Sequence, residues 1–221
     1  MKLETIDTNE ILHFLGYGVE KPDDNLLSTI EEMKNKVLKL AVPRFIYREF
    51  ALEDGNPVGT DLQLPGKDIR RLFKESHHCI LLAATLGTQV EKEGKRLQLQ
   101  DMGKAVIFDS CASAAIEQVC DIVQEELREI YAKKQQYLTD RYSCGYGDLP
   151  LTIQNDFLKV LDAPRKIGLY ANDSCLLVPR KSVTAIIGVA DQIQPAILRG
   201  CAHCLLRDTC EYRRGGTVCG K

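Results

Sequence analysis

The sequence predicts an α+β fold: a twisted, mostly antiparallel sheet flanked by helices, with a small C-terminal metal-binding appendage. Three observations carry this expectation. Residues 79–85 (CILLAAT) and 183–189 (VTAIIGV) are continuous apolar runs, the pattern of strands buried on both faces. Residues 102–137 hold no proline and, after Gly103, no glycine, while apolar residues recur every three or four positions. Helical and strand-like segments do not alternate strictly, which favours α+β over a parallel doubly wound sheet.

The elements follow in order. Residues 8–15 read as a short helix with Thr8 as N-cap and Gly16 and Gly18 as stop signals. Residues 22–39 look helical, with Leu26, Leu27, Ile30, Met33, Val37 and Leu40 near helical spacing. Residues 44–52 (RFIYREFAL) favour a strand, and 58–64 (VGTDLQL) alternate like its hairpin partner. Residues 68–75 form a short helix. The run 79–85 suits a central strand, although periodicity alone does not separate it from a buried helix. Gly87 ends it, and a helix starts near Thr88. In the long helix, Phe108, Ala112, Ile116, Val119, Val123, Leu127 and Ile130 make one apolar stripe. A glycine-punctuated loop follows, then a helix near 152–161. The strand-like stretch 166–178 is broken at Asn172-Asp173, and 183–189 is the last strand. The cysteine-rich tail begins after Pro195, which divides the chain into residues 1–195 and 196–221.

Composition narrows the function classes. Hydrophobic residues make up 44% of the 221, enough for a real core. The net charge of −2, with no basic run, argues against a nucleic-acid surface. The N-terminus MKLETIDTNEILHFLG is polar and acidic, unlike a signal peptide, and no apolar run approaches a bilayer span. The expectation is a soluble cytoplasmic protein without membrane or nucleic-acid partners. Nine cysteines in a reducing compartment favour metal or redox chemistry over a disulfide framework.

Four of those cysteines, Cys201, Cys204, Cys210 and Cys219, are spaced C-x2-C-x5-C-x8-C. Four thiolates close a tetrahedral zinc site or hold an iron–sulfur cluster. Structural zinc usually shows two short pairs, and only Cys201 and Cys204 form one here. The wide, uneven gaps and the nearby Arg207, Arg213, Arg214 and Lys221 favour an iron–sulfur cluster over zinc. His203 lies within the first pair, but the four thiolates suffice.

Residues 141–150 read R-Y-S-C-G-Y-G-D-L-P. Gly145 and Gly147 permit positive φ or close backbone approach. Arg141 offers a planar fork for a carboxylate, and Tyr146 an aromatic face with a hydroxyl. Together they suit a zwitterionic small molecule with a ring. On the residues alone, a tight turn with a surface arginine is the simpler account.

The stretch R-x-x-x-G-Y, followed by a proline, a helix and VPRKSVTAIIGV, resembles the activation domain of cobalamin-dependent methionine synthase. NEILHFLGYG resembles the start of the short, stand-alone members, and ILLAATLGTQVE and AVIFDSCASAAIEQVCD resemble the middle, so the similarity touches most of residues 9–190. The resemblance implies a shallow S-adenosylmethionine site on a twisted antiparallel sheet flanked by helices. It implies reductive methylation: one electron reduces cob(II)alamin, and the methyl of S-adenosylmethionine traps it as methylcobalamin. Arg141 would grip the methionine carboxylate, and Ser143 and Gly145 would supply backbone contacts. Tyr146 would lie beside the sulfonium and the corrin, as the residue nearest the reacting atoms. A cation beside an aromatic face is favourable, and the cofactor carries the hard chemistry. Tyr142, Ser143 and Cys144 depart from the proline-rich loop of the large synthases.

The expected function is a stand-alone reactivation subunit, a methyltransferase component acting on cobalamin held by a methionine synthase or another corrinoid protein. The electron would come from flavodoxin, ferredoxin or the tail's own cluster. The alternative is an iron–sulfur electron-transfer or corrinoid-docking protein without S-adenosylmethionine activity. Asp109, Ser113 and Glu117 fall at i, i+4 and i+8 on the long helix. They read first as helix surface or a local hydrogen bond, and second as a polar seam facing the ligand amine. Lys181 and Ser182 close the turn into the last strand, either as a plain turn or as a support near the corrin side. His77 and His78 read as strand-edge histidines, and Cys79, Cys111, Cys120 and Cys175 as small core residues. Cys144 is either reactive or a packing residue.

Overall fold

The computed structural model describes residues 1–17, 21–193 and 208. The helices are α1 (Thr8–Phe14), α2 (Asp24–Leu40), α3 (Lys67–Leu72), α4 (Thr88–Gln100), α5 (Met102–Ala132), α6 (Gln154–Leu161) and α7 (Ala163–Ile167). The strands are β1 (Arg44–Glu53), β2 (Asn56–Pro57), β3 (Ser76–Thr85), β4 (Tyr137–Leu138), β5 (Tyr170–Ala171), β6 (Leu177–Val178) and β7 (Ser182–Ala190). The main sheet has the order β2-β1-β3-β7-β4, with every pairing antiparallel. The expected α+β architecture is the observed one. No helix among the described residues is long and apolar enough to cross a membrane.

Strand β3 is central because its alternation serves two cores. Cys79, Leu81 and Ala83 pack with Phe157, Leu158 and Leu161 of α6 and Ile69 and Leu72 of α3. Ile80 and Leu82 face Val123, Leu127 and Tyr131 of α5, and Ala84 joins α1, α2 and α4. Burying each such leucine contributes about 1.5–3 kcal/mol, which accounts for a continuous apolar run where a one-sided strand would alternate.

Helix α5 starts where Asp101 caps it, accepting from Lys104 N at 3.0 Å. Its stripe holds to Leu127 and then shifts: Tyr131 is buried and Ile130 exposed, because a 3.6-residue period carries the buried line to i+4. The helix stops at Ala132, short of Tyr137, and Gln135 takes φ 59° before β4 begins. At α1 the cap is Asp7, which accepts from Asn9 N at 2.8 Å. Gly16 ends that helix as expected, with φ 81°, and Gly18 lies outside the described residues.

Two strand expectations shorten. Asp54 and Gly55, both at positive φ, make a two-residue hairpin, and pairing ends at Asn56–Pro57. The alternation at 58–64 is nonetheless real: Leu62 and Leu64 are buried under the sheet without joining it. Thr60 Oγ1 donates to Pro57 O at 2.9 Å and turns the chain away. Residues 166–178 open with the end of α7, and only β5 and β6 pair, around an Asn172 turn.

The helical layer is tied by Glu93 of α4, which accepts from Arg96 Nε at 2.8 Å and pairs with Lys36 of α2 at 3.2 Å. Hydrogen bonding from Arg96 holds the Glu93 carboxyl at about 2. A carboxyl depressed on folding stabilises above its unfolded value of about 4.3 and ceases to as the pH falls toward the folded one. The urea midpoint is therefore expected to fall between about pH 4.5 and pH 2, with a shallower fall in Glu93→Gln. Parallel acid limbs for the two proteins would remove Glu93 from the account.

Candidate functional site

The site forms where α5 passes the edge of β7. Tyr142 locks its loop to that edge with two backbone bonds: Tyr142 N donates to Ile186 O at 2.9 Å, and Ile186 N to Tyr142 O at 2.7 Å. Strand β4 pairs β7 only at Val189 and Ala190. Among the described residues, no strand lies beside β7 from Ile186 back to Ser182 on this side.

Beyond Tyr142 the chain curls tightly. Tyr146 N donates to Ser143 O at 3.1 Å, Leu149 N to Tyr146 O at 3.0 Å, and Gly145 N to Leu149 O at 2.9 Å. Gly147, at φ 52°, faces the Tyr142 hydroxyl and the Asp68 carboxylate, leaving no room for a side chain. Tyr142 Oη donates to Tyr146 O at 2.9 Å, and burial followed by the Asp68 and Asp148 charges pushes its phenol up to about 12. Asp148 accepts from Lys67 N at 2.5 Å and Asp68 N at 3.2 Å, so it caps α3 and anchors the loop. The Lys67 bond is the main cause holding Asp148 below the usual carboxylate range. Tyr146 is left 67% exposed, its ring edge-on to Tyr142 with centroids 5.9 Å apart.

Arg141 turns the other way, into the helix. Its side chain is only 8% exposed. Nη1 donates to Gln124 Oε1 at 2.9 Å; Nη2 donates to Asp121 Oδ1 at 2.8 Å and Glu117 Oε2 at 3.1 Å. It is thus no loose surface arginine. A fixed guanidinium with two carboxylates beside it complements a zwitterion, offering a cation to a carboxylate and an anion to an ammonium.

The expected seam on α5 divides. Glu117 joins Arg141. Ser113 Oγ donates to Asp109 O at 3.1 Å, the local bond its position suggested, and accepts from Lys181 Nζ at 2.7 Å. Lys181 also pairs with Asp109 at 2.9 Å, so the turn before β7 is tied to α5. Ser182 Oγ bonds Thr85 Oγ1 and Pro179 O, each at 2.7 Å. A groove between α4 and α5, floored by Val90, Gly94, Phe108 and Ala112, opens beside Lys181.

Of the five described thiols four are packing groups, and Cys175, expected in the core, is not. Burial pushes the Cys144 thiol up to about 11, and it packs beneath the sheet. Cys79, Cys111 and Cys120 are pushed up to about 12 by burial. Cys175 sits at φ 61° in the β5–β6 turn, half-buried and outside the core. His77 lies at the start of β3, 3.4 Å from Asp191. No group of three metal-ligating side chains occurs among the described residues. Cys201, Cys204, Cys210 and Cys219 lie outside them.

Asp121, Gln124, Asp68 and Asp148 were not anticipated. Asp121 and Gln124 carry a faint signal, lying at i+4 and i+7 from Glu117 on one helical face.

No model of a protein family matches the chain, and no curated protein matches it in sequence. Among solved structures it is similar to the crystal structure of the MetH reactivation domain bound to AdoHcy. The TM-score is 0.64 at 14% identity, over 97% of this chain and 82% of that one. At that identity the likeness establishes the fold.

Proposed function

We propose that the chain is a reactivation subunit that binds S-adenosylmethionine and serves the reductive methylation of cob(II)alamin on a methionine synthase or related corrinoid protein. The observation that carries this reading is the Arg141 cluster: a buried, fixed guanidinium flanked by Glu117 and Asp121 beside the β7 edge that Tyr142 bridges. It is supported by the likeness to a reactivation domain that binds AdoHcy.

In this reading Arg141 takes the ligand's carboxylate. Glu117 and Asp121, 41% and 61% exposed, face its ammonium. Ser143 and Gly145 line the ligand with backbone, and the exposed Tyr146 ring borders the sulfonium where the corrin approaches. One electron enters the cobalt and the methyl leaves sulfur for it, releasing S-adenosylhomocysteine. The transfer requires no proton at the reacting atoms, so positioning and charge are what the protein contributes.

The electron is proposed to come from a flavodoxin- or ferredoxin-type donor, with Cys201, Cys204, Cys210 and Cys219 holding an iron–sulfur cluster as relay in preference to zinc. The thiolate spacing also keeps the second reading in play, an electron-transfer or corrinoid-docking protein without S-adenosylmethionine. Protein purified without oxygen is expected to be brown, with absorption near roughly 400 nm that bleaches on reduction, and to contain iron. Colourless protein containing zinc would overturn the relay. Calorimetry with S-adenosylmethionine on the same anaerobic sample separates the two functions: binding supports the first, and its absence with the metal intact supports the second.

A further inference from the structure

We infer that Gln124 is the positioning residue for the amino-acid end of the ligand, acting through Arg141. This rests on the proposed binding of S-adenosylmethionine and goes beyond it.

Gln124 lies on α5 and is 3% exposed, one of few buried polar side chains among the described residues. A buried primary amide must satisfy both its oxygen and its nitrogen. Here the two ends have different partners. Oε1 accepts from Arg141 Nη1 at 2.9 Å, while Nε2 donates to Thr139 O at 3.3 Å. Thr139 is itself bound to β7: its N donates to Gly188 O at 3.0 Å, and its Oγ1 accepts from Gly188 N at 2.8 Å. The amide therefore joins the sheet edge to the guanidinium through a continuous chain of hydrogen bonds.

The consequence is directional. With Nη1 committed inward to Gln124, the plane of the fork is set and Nη2 is turned toward Asp121 and Glu117. Without the amide, Arg141 retains only partners on exposed helical turns, and those acids can draw the fork outward along α5. An amide of this size, rather than a third acid, holds the arginine without neutralising it further. The ligand carboxylate then meets a guanidinium whose orientation is set beforehand, at the N–H groups that Gln124, Asp121 and Glu117 leave open.

The test compares AdoHcy with 5′-methylthioadenosine, which has the same nucleoside but lacks the carboxylate and ammonium. Calorimetry is run on wild type, Arg141→Ala, Gln124→Met and Gln124→Glu. Met is close in size and makes neither bond; Glu restores an acceptor for Nη1. Gln124→Met is expected to bind AdoHcy about tenfold more weakly, with affinity for the thionucleoside unchanged; Gln124→Glu keeps the acceptor for Nη1 but adds a third acid and loses the donor to Thr139 O, and is expected to recover only part of the loss. Equal weakening of both ligands would show a merely structural role and overturn the inference. So would Gln124→Met retaining wild-type affinity for AdoHcy. Where direct titration of the thionucleoside is too weak, its affinity is read by competition against AdoHcy. Failure of the underlying reading is distinct: wild type would not bind AdoHcy, or Arg141→Ala would bind it unimpaired.

Discussion

Arg141→Ala is expected to weaken S-adenosylmethionine binding by roughly 100-fold or more, equivalent to about 3 kcal/mol, and to remove reactivation of a corrinoid partner at ordinary ligand concentration. Two effects combine. The ligand carboxylate loses its cation, and Glu117 and Asp121, one turn apart, become an uncompensated pair of like charges. The variant also leaves Gln124 Oε1 buried without its donor, a loss of about 1–3 kcal/mol in folding stability. Binding is therefore measured well below the thermal midpoint. Arg141→Lys keeps the charge but not the fork, and is expected to rescue stability more than affinity. A variant that binds and reactivates like wild type would remove Arg141 from the site.

Gly147→Ala is the second large effect, and it acts through the backbone. The residue occupies φ 52°, where a Cβ already strains the chain. The added methyl would also meet the Tyr142 hydroxyl and the Asp68 carboxylate. Asp68 can swing aside. Tyr142 cannot, because its ring is 4% exposed and its hydroxyl holds Tyr146 O. The expected loss is about 1–3 kcal/mol in stability, with at least about a tenfold loss in ligand affinity, since Tyr146 lies within the disturbed turn and Arg141 leads into it. Gly59→Ala is the control: φ 76° with open space around its Cβ position. It bears the backbone strain but no collision. If the two variants lose stability equally and ligand binding survives in both, the tight curl of the loop does not position the site.

Much of the frame was legible because its signals are local. β3 and β7 announce themselves as apolar runs since both of their faces are covered. α5 does so through a period that any helix of its length must show if one side is buried. The errors have local causes too. The alternation at 58–64 reports burial of Leu62 and Leu64, which a coil under a sheet can supply as well as a strand. Thr8 and Asp7 are equally good caps by residue type, and only backbone geometry chose Asp7.

The site was legible by half. Arg141, Gly145 and Tyr146 stand within six residues, and the glycines mark a curl that other residues resist. Their sequence did not reveal that Arg141 points away from Tyr146 and into α5.

By itself, then, the sequence determined the sheet-and-helix frame and the tight loop after Arg141. Periodicity and φ limits are properties of neighbours along the chain. The tertiary structure alone decided which charges meet. Arg141 finds Gln124, Asp121 and Glu117 across 17, 20 and 24 residues, while Lys181 takes Asp109 and Ser113 from the same helix. Those pairings exist only because α5 packs along β7, and packing, unlike periodicity, is set by the whole core at once.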